Sequence, residues 1–195
     1  SFFDQDPPPP EIYPLSLPDA LPIFTVYVGH GDAARDIARI PAARALTRSR
    51  TPLVTVEPRG FGATRALSCG SRRFLEPYGA DYLLASMGEM LDESYLGRRV
   101  HDALRALDFL VAGGAGPIAL VGRGLGSVIV AFAGLLHPSR PAVRLEEYLP
   151  SFDLLCRDAL ANWPLSSLPR GVLRVFDLPD VYRALGKRLA LGKKG

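Results

Sequence analysis

Apolar residues in this 195-residue chain fall into short continuous runs separated by longer stretches with helical spacing. The runs at 24–28, 53–57, 118–121 and 143–147 are rich in β-branched, leucine and aromatic residues, and each predicts a strand. Because these runs are continuous rather than alternating, they are typical of strands buried on both faces of a parallel sheet. The run at 172–176 has a similar composition and predicts a further strand.

Between these runs, apolar positions recur every three or four residues, which predicts helices. The strongest pattern covers 94–111, where the charged residues, Arg99 among them, fall on the face opposite the apolar one. Glycine and proline at 113–117 end that helix. The stretch 33–50 predicts a helix that Pro41 breaks or kinks. Further helices are predicted at 127–137, 153–163 and 179–189, and a loop is predicted at 65–80.

Strands that alternate with helices predict an α/β fold, with a three-layer, doubly wound and mostly parallel sheet. We assign residues 24–195 to one such domain. Right-handed crossovers place the carboxyl ends of parallel strands at one edge of the sheet, where ligands bind in such folds. The loops that contain Gly29, Arg59 and Gly122 each follow a predicted strand. They are therefore expected to meet at one edge and to form the candidate site.

Residues 1–23 have a different character from the remainder. They contain a proline run at 7–10 and the segment E-I-Y-P-L-S-L-P-D-A-L-P-I, which resembles the conceptual translation of a sequencing adapter. A proline-rich linker is the alternative, and either origin predicts no stable structure before about residue 24. We expect the native protein to extend upstream, so the sequence leaves both a cytoplasmic and a secreted location open.

Composition and charge limit the classes of binding partner that the sequence predicts. The formal net charge is only +3, and apart from the C-terminal tail the basic residues are scattered among acids. Nucleic-acid-binding proteins concentrate basic charge on one face, so we predict no nucleic-acid partner. Cys69 and Cys156 are too few for a disulfide framework or a zinc site, and we predict neither a metal nor a cofactor. No apolar run has the length of a membrane span, so no membrane partner is predicted, while the oligomeric state stays open.

The segment 117–127 carries the main functional signal, because it combines a buried strand, a glycine-rich turn and an apolar helix. This is the layout of the nucleophile elbow G-x-S-x-G, with Gly124 in the place of the serine. The elbow requires small residues two positions before and after its apex, and Gly122 and Gly126 meet that requirement. Moving the apex to Ser127 would put large side chains at both positions. We therefore place Ser127 in the first turn of the helix and conclude that the apex lacks a nucleophile.

Several motifs occur in the order found in one enzyme family. They are His30-Gly31 after a strand, the run 57–62 (E-P-R-G-F-G) after the next strand, the elbow, and the run 176–185. Together they resemble the α/β-hydrolase superfamily, within it the acetyl-xylan-esterase-like branch. The resemblance implies an α/β-hydrolase-like fold, incomplete in this chain, and the hydrolysis of carboxylic esters.

The resemblance also implies roles for individual residues. The backbone N–H of Leu125 would be one oxyanion donor, and the loop at His30 and Gly31 would supply the other. The loop of Arg59 and Gly60, together with Arg123, would line the pocket. For Arg59 two interpretations stay open, which are binding of an anionic or sugar group and a salt bridge to a nearby acid.

The same resemblance predicts that the chain is inactive. Its nucleophile position is Gly124, and by the family pattern the catalytic acid and histidine would follow Gly195. We therefore expect part of an ester hydrolase that does not turn over esters as it stands, with a small ester or a carbohydrate as its ligand.

Two alternatives remain at this stage. Gly122 and Gly124 also fit the start of a dinucleotide-binding fingerprint, with Glu146 or Glu147 falling about 20 residues further on. Against this interpretation, Ser127 stands where the fingerprint has its third glycine or alanine. The other alternative is a structural or interaction domain of similar fold.

Other polar residues receive structural interpretations. His101 is expected on a solvated helix face, and His137 at a helix end, where a cation is favoured. Trp163 is expected to pack in the core. Asp177 and Asp180 are interpreted as caps of the following helix rather than as the catalytic acid.

Overall fold

The computed structural model describes residues 24–65, 79–158 and 163–194. Their centre is a sheet of five parallel strands. The strands are β1 (Phe24–Val28), β2 (Leu53–Thr55), β3 (Ile118–Arg123), β4 (Ala142–Glu146) and β5 (Leu189–Leu191), in the spatial order β2-β1-β3-β4-β5. The predicted α/β class with a parallel sheet is confirmed.

The order of the strands creates a switch point at the middle of the sheet. From β1 the chain moves outward to β2 and then crosses back to pair β3 with the other side of β1. The register aligns Val28, the last residue of β1, with Gly122 of β3. The loops after β1 and β3 therefore emerge side by side and lead away in opposite directions, which opens a crevice for ligands in sheets of this type.

Helices cover both faces of the sheet. They are α1 (Ala33–Arg39), α2 (Pro41–Leu46), α3 (Gly79–Met90), α4 (Tyr95–Ala112), α5 (Leu125–Leu136), α6 (Phe152–Arg157) and α7 (Leu178–Leu185). The larger apolar core joins α4, α5 and α7 to inward residues of the strands such as Val26, Leu120 and Leu145. A smaller cluster on the opposite face joins α1 and α2 to Tyr27 and Val121. This division confirms the doubly wound arrangement with helices on two sides.

Local chemistry sets several helix ends where the sequence predicts them. Pro41 starts α2 and separates it from α1, because proline is tolerated in the first turn but not in a helix interior. The Ser94 hydroxyl accepts a hydrogen bond from the Gly97 N–H and begins α4. Asp177 and Asp180 form a capping box at the start of α7, as expected of this pair.

Four sequence-based assignments are wrong. Residues 172–176 form no strand, because Gly171 adopts φ 70° and turns the chain into a single 3₁₀ turn at Val172–Arg174. Helix α6 ends at Arg157, earlier than predicted. The helix predicted at 179–189 ends at Leu185, and β5 follows where no strand was predicted. Helix α3 was also missed. The expectations for residues 1–23, for most of the loop at 65–80 and for Cys69 lie outside the described residues.

Candidate functional site

The bend between β3 and α5, which we call the elbow (residues 122–126), has the geometry that the sequence predicts. Gly124 at its apex has φ 55° and ψ −129°, a conformation that side-chain-bearing residues rarely adopt. A methyl group at Gly126 would lie 2.2 Å from the Val28 carbonyl oxygen, and one at Gly122 would lie 2.6 Å from the Gly126 carbonyl oxygen. Since backbone atoms cannot give way cheaply, both flanking positions require glycine.

Ser127 offers no accessible hydroxyl at the elbow. It lies in the first turn of α5, where its N–H donates to the Gly124 carbonyl at 2.8 Å. Its side chain is fully buried, and its hydroxyl has no hydrogen-bond partner among the described residues. The predicted location of Ser127 in the helix is therefore confirmed, and no substrate can reach its hydroxyl in this structure.

His30 faces the elbow from the end of β1 and occupies the position next to the apex. The backbone N–H of Leu125, the expected oxyanion donor, donates to Nδ1 of His30 at 3.1 Å. A methyl group at Gly124 would lie 2.2 Å from the same nitrogen. The imidazole therefore fills the space beside the apex and occupies the Leu125 N–H, and the glycine at the apex makes room for it.

The protonation state of His30 follows from this contact. Nδ1 accepts the Leu125 hydrogen bond, so the ring is neutral and carries its proton on Nε2. The residue stays exposed on one side, while Trp163 packs edge-on against the ring at a centroid distance of 6.4 Å. Burial lowers the pKa of His30 below its usual value of 6.5, and the nearby Arg123 guanidinium lowers the pKa further. A neutral His30 is thus the stable form near pH 7.

Asp36 of α1 holds the His30 loop and the elbow together. Its carboxylate accepts hydrogen bonds from the Tyr27 hydroxyl (2.8 Å) and the His30 backbone N–H (3.2 Å). It also pairs with Arg123 at 3.1 Å. The carboxylate is buried, so each of these contacts replaces water that it has lost. Burial also raises the pKa of Tyr27, which keeps the hydroxyl protonated as the donor to Asp36.

Arg123 lies in this charge cluster and also lines the smaller of two cavities, of about 180 Å³. Its guanidinium bridges Asp36 of α1 and Glu147 beyond β4, the latter at 2.5 Å. Its side chain is only 16% exposed, and Nε has no partner among the described residues. Both acids that a dinucleotide site could use for a ribose hydroxyl are therefore paired with arginines, Glu147 with Arg123 and Glu146 with Arg144.

Arg59 forms the salt bridge that was one of its two interpretations. Its guanidinium makes a bidentate contact with Asp102 of α4, at 2.8 Å from Nε and 2.6 Å from Nη2. This contact fixes the loop after β2 against α4. The same loop meets the His30 loop, because the Gly62 N–H donates to the Gly31 carbonyl at 2.7 Å. Gly60 lies close to the Tyr95 hydroxyl and has φ 80°. The predicted meeting of the loops at one edge is confirmed.

Arg99 corrects the interpretation of α4. It was placed on the polar face, yet its side chain is fully buried. Its guanidinium pairs with Asp81 of α3, donates to the Ser166 hydroxyl at 2.9 Å, and lies 4.3 Å from the centroid of the Tyr95 ring. A buried arginine is stable only when such partners replace its water. A tyrosine four residues earlier on the same helix face was the available signal for this burial.

The remaining polar residues take structural positions. His137 ends α5 and contacts Asp108 at 3.2 Å, and His101 is exposed on α4, both as expected. Trp163 is half-buried against the larger core. Asp177 accepts a hydrogen bond from the Phe152 N–H at 2.6 Å in addition to capping α7, so it binds the starts of two helices. Of these residues only Trp163 approaches the elbow, through its edge-on contact with His30.

The chemistry available at the elbow is limited to hydrogen bonding. Two of its N–H groups are taken, that of Leu125 by His30 and that of Gly124 by the Glu146 carbonyl at 3.0 Å. Two cavities in the described part of the chain, of about 430 Å³ and 180 Å³, are lined by neither Gly124 nor His30, although Arg123 of the elbow lines the smaller one. Among the described residues no group of His, Cys, Asp and Glu could hold a metal ion. The elbow can thus hold a neutral imidazole, and it offers no nucleophile.

Comparison with known proteins assigns the chain to no family. No family model matches the chain, and no curated protein sequence matches it. Within 24–65, 79–158 and 163–194, none of the helices has the length and apolarity needed to cross a membrane.

Proposed function

We propose that this chain is related to the carboxylic-ester hydrolases, in the acetyl-xylan-esterase-like branch of the α/β hydrolases, and that it does not hydrolyse esters. The observation that carries the proposal is the apex of the elbow, where Gly124 has the strained backbone of a nucleophile position and no side chain. Supporting it are the location of the bend at the end of the central strand β3 and the loop of His30 that faces it.

The loss of the nucleophile decides the activity. In a serine hydrolase the removal of this residue costs about a millionfold in turnover, and the oxyanion hole accounts for much of what remains. Here the expected oxyanion donor, the Leu125 N–H, is already bound to His30. Both the nucleophile and a free oxyanion donor are therefore absent in the described conformation. A small ester or an acetylated carbohydrate would reach this donor only after the imidazole moves away.

The dinucleotide alternative receives less support. A phosphate needs free N–H groups at the start of the helix, but the N–H groups of Gly124 and Leu125 are both occupied. The two acids expected to bind a ribose, Glu146 and Glu147, are paired with Arg144 and Arg123 respectively. We expect no enhancement of nicotinamide fluorescence when the chain is titrated with NADH, and saturable enhancement would favour the dinucleotide alternative instead.

The test of the proposal is hydrolysis of p-nitrophenyl acetate by the purified chain. We expect no saturable turnover above buffer and no labelling by a fluorophosphonate, which reacts with activated serines. Free imidazoles cleave this ester slowly, so His30→Ala and His101→Ala serve as matched controls for a histidine background, since both residues are exposed. Saturable turnover in the unmodified chain, retained in both histidine variants, would contradict the proposal.

A further inference from the structure

The largest cavity described above lies apart from the elbow and has a different character. It measures about 430 Å³, within the range of sites for small organic molecules. It opens between α3, the first turn of α4, α6 and the segment 165–174. Its inner wall is apolar and buried, with Ala85, Leu96 and Val172 among its residues. None of the elbow residues lines it.

Basic groups dominate the mouth of this cavity. Arg170 and Arg174 line it and are exposed, and neither has an ion-pair partner among the residues that the structure describes. Glu89 is the one acidic residue that lines it, so the lining carries a net positive charge. Behind the wall, Arg99 contacts two lining residues, Ser166 and Tyr95. Since Arg99 is already paired with Asp81, it is the guanidinium groups of Arg170 and Arg174 that favour an anion at the mouth, next to an apolar interior.

Apolar side chains at the rim indicate that the cavity is open to a ligand. Leu165 is 48% exposed and Leu173 is 41% exposed, and both line the opening. Covering such side chains gains about 25 cal/mol per Å² of apolar surface removed from water. An occupant with a hydrocarbon part and a single negative end would satisfy both the rim and the arginines.

We propose that this cavity binds an aliphatic monocarboxylate, with its hydrocarbon chain among Leu96, Leu168 and Val172 and its carboxylate at Arg170 and Arg174. The proposal does not depend on the function of the elbow, because the two sites share no residue. A purely apolar ligand would leave the arginines unused, and a cationic amphiphile would meet like charges at the mouth.

Affinity for a series of straight-chain carboxylates tests the apolar part. Butyrate, hexanoate, octanoate and decanoate are titrated calorimetrically below their micellar concentrations. Each added methylene buried in the cavity should tighten binding about fourfold, until the chain fills the available volume. The stoichiometry should be one per chain. Binding that does not saturate, or that is independent of chain length, would overturn the proposal.

Substitutions test the location. Leu168→Trp fills the cavity and should weaken decanoate binding at least tenfold, whereas Leu136→Trp, on an exposed part of α5, should leave it unchanged. Far-UV circular dichroism and a thermal melt establish that both variants are folded. Labelling of Cys156, which is exposed and lines the cavity, gives a second readout in a Cys69→Ser background. Decanoate should slow its reaction with a thiol reagent, and an unchanged rate would contradict the location.

Charge is tested separately. The pair Arg170→Gln and Arg174→Gln should weaken decanoate binding by about two- to tenfold, as expected for exposed charge pairs. The pair Arg48→Gln and Arg50→Gln removes the same net charge from an exposed stretch outside the cavity and should have no effect. Decyltrimethylammonium should bind at least tenfold more weakly than decanoate. Equal affinity of the two amphiphiles would overturn the assignment of a carboxylate.

Discussion

Replacing Gly124 by serine places a hydroxyl at the apex of the elbow, and the structure predicts that this change destabilises the fold. The new Cβ would lie 2.2 Å from Nδ1 and 2.8 Å from Cγ of His30. The imidazole must therefore turn away and give up the Leu125 hydrogen bond. The backbone at φ 55° and ψ −129° also disfavours any residue with a side chain.

The magnitude follows from these two costs. A non-glycine residue in such a backbone conformation costs about 1–3 kcal/mol. Loss of the hydrogen bond between Leu125 and His30 adds about 1 kcal/mol. The free energy of unfolding should therefore fall by about 2–4 kcal/mol, which for a chain of this size corresponds to a fall in Tm of roughly 5–15 °C.

A double-mutant cycle separates the two costs. His30→Ala removes the ring atoms that collide with the new side chain, leaving only the His30 Cβ at 3.0 Å. In that background Gly124→Ser should cost about 1 kcal/mol less than in the unmodified chain, because the hydrogen bond is already absent. Urea denaturation of the four proteins measures the coupling. Additive effects, or a Gly124→Ser variant as stable as the parent, would refute the steric role of His30.

The same variant tests the chemistry. Gly124→Ser alone should not restore turnover of p-nitrophenyl acetate, because the imidazole nearest the apex has to leave its place to admit the serine. Turnover that appears with this single substitution would mean that His30 acts as a general base without further rearrangement.

Three further predictions concern the elbow and the core. The pKa of His30 is lowered in the folded chain, so as the pH falls the unfolded state takes up a proton first. The free energy of unfolding should therefore be constant above about pH 6.5 and fall below that pH until the folded-state pKa is passed. Urea midpoints of the parent and of His30→Ala, measured across this pH range, check this, and an unchanged slope in the variant would contradict it. Gly126→Ala should lower the free energy of unfolding by about 3 kcal/mol or more, because its methyl group meets backbone oxygen. The control Gly31→Ala, with no described atom within 4 Å of its methyl group, should change stability by less than about 0.5 kcal/mol. Equal melting temperatures of the two variants would refute the close approach of the β1 backbone to Gly126. Arg99→Met should lower the free energy of unfolding by about 3–5 kcal/mol in denaturation experiments, because the Asp81 carboxylate loses its buried partner. The control Arg98→Met, which removes an exposed ion pair with Glu93, should cost at most about 1 kcal/mol.

The elbow could be predicted from the sequence because its requirements are local. A buried strand followed by glycines at 122, 124 and 126 leaves few other conformations. The position of the His30 loop beside the elbow could also be predicted, since parallel strands with right-handed crossovers bring the loops after β1 and β3 to one edge. The hydrogen bond between His30 and Leu125 could not, because it depends on a side-chain rotamer rather than on the path of the chain.

The residues that hold the site together were missed for a different reason. Asp36 and Arg99 are charged, and charged residues on helices are usually exposed. Each is buried here because partners from other elements surround it, Tyr27 and Arg123 for Asp36, and Asp81 and Ser166 for Arg99. Most partners in these networks become visible only after the helices are packed on the sheet, and Tyr95, four residues before Arg99, was the one local signal.

Short elements could not be predicted from the sequence either. Strand β5 has three residues and lies inside a pattern that suits a helix, but Gly186 at φ 55° ends α7 and releases the chain to pair with β4. The apolar run at 172–176 looked like a strand, yet it packs as a turn on the larger core through Val172. In both cases pairing and packing with distant segments outweigh local composition.

The hydrogen bond from Leu125 to His30 closes the elbow, and the imidazole nitrogens report on it most directly. A long-range ¹H–¹⁵N spectrum of the chain at pH 7 should show His30 neutral, protonated on Nε2, with Nδ1 as an acceptor. The Leu125 amide resonance should shift in His30→Ala. An imidazolium or an Nδ1-protonated ring at this pH, together with a Leu125 amide resonance that does not shift in the variant, would contradict the occupied elbow. That contact supports the proposed loss of ester hydrolysis together with the apex at Gly124, which has no side chain.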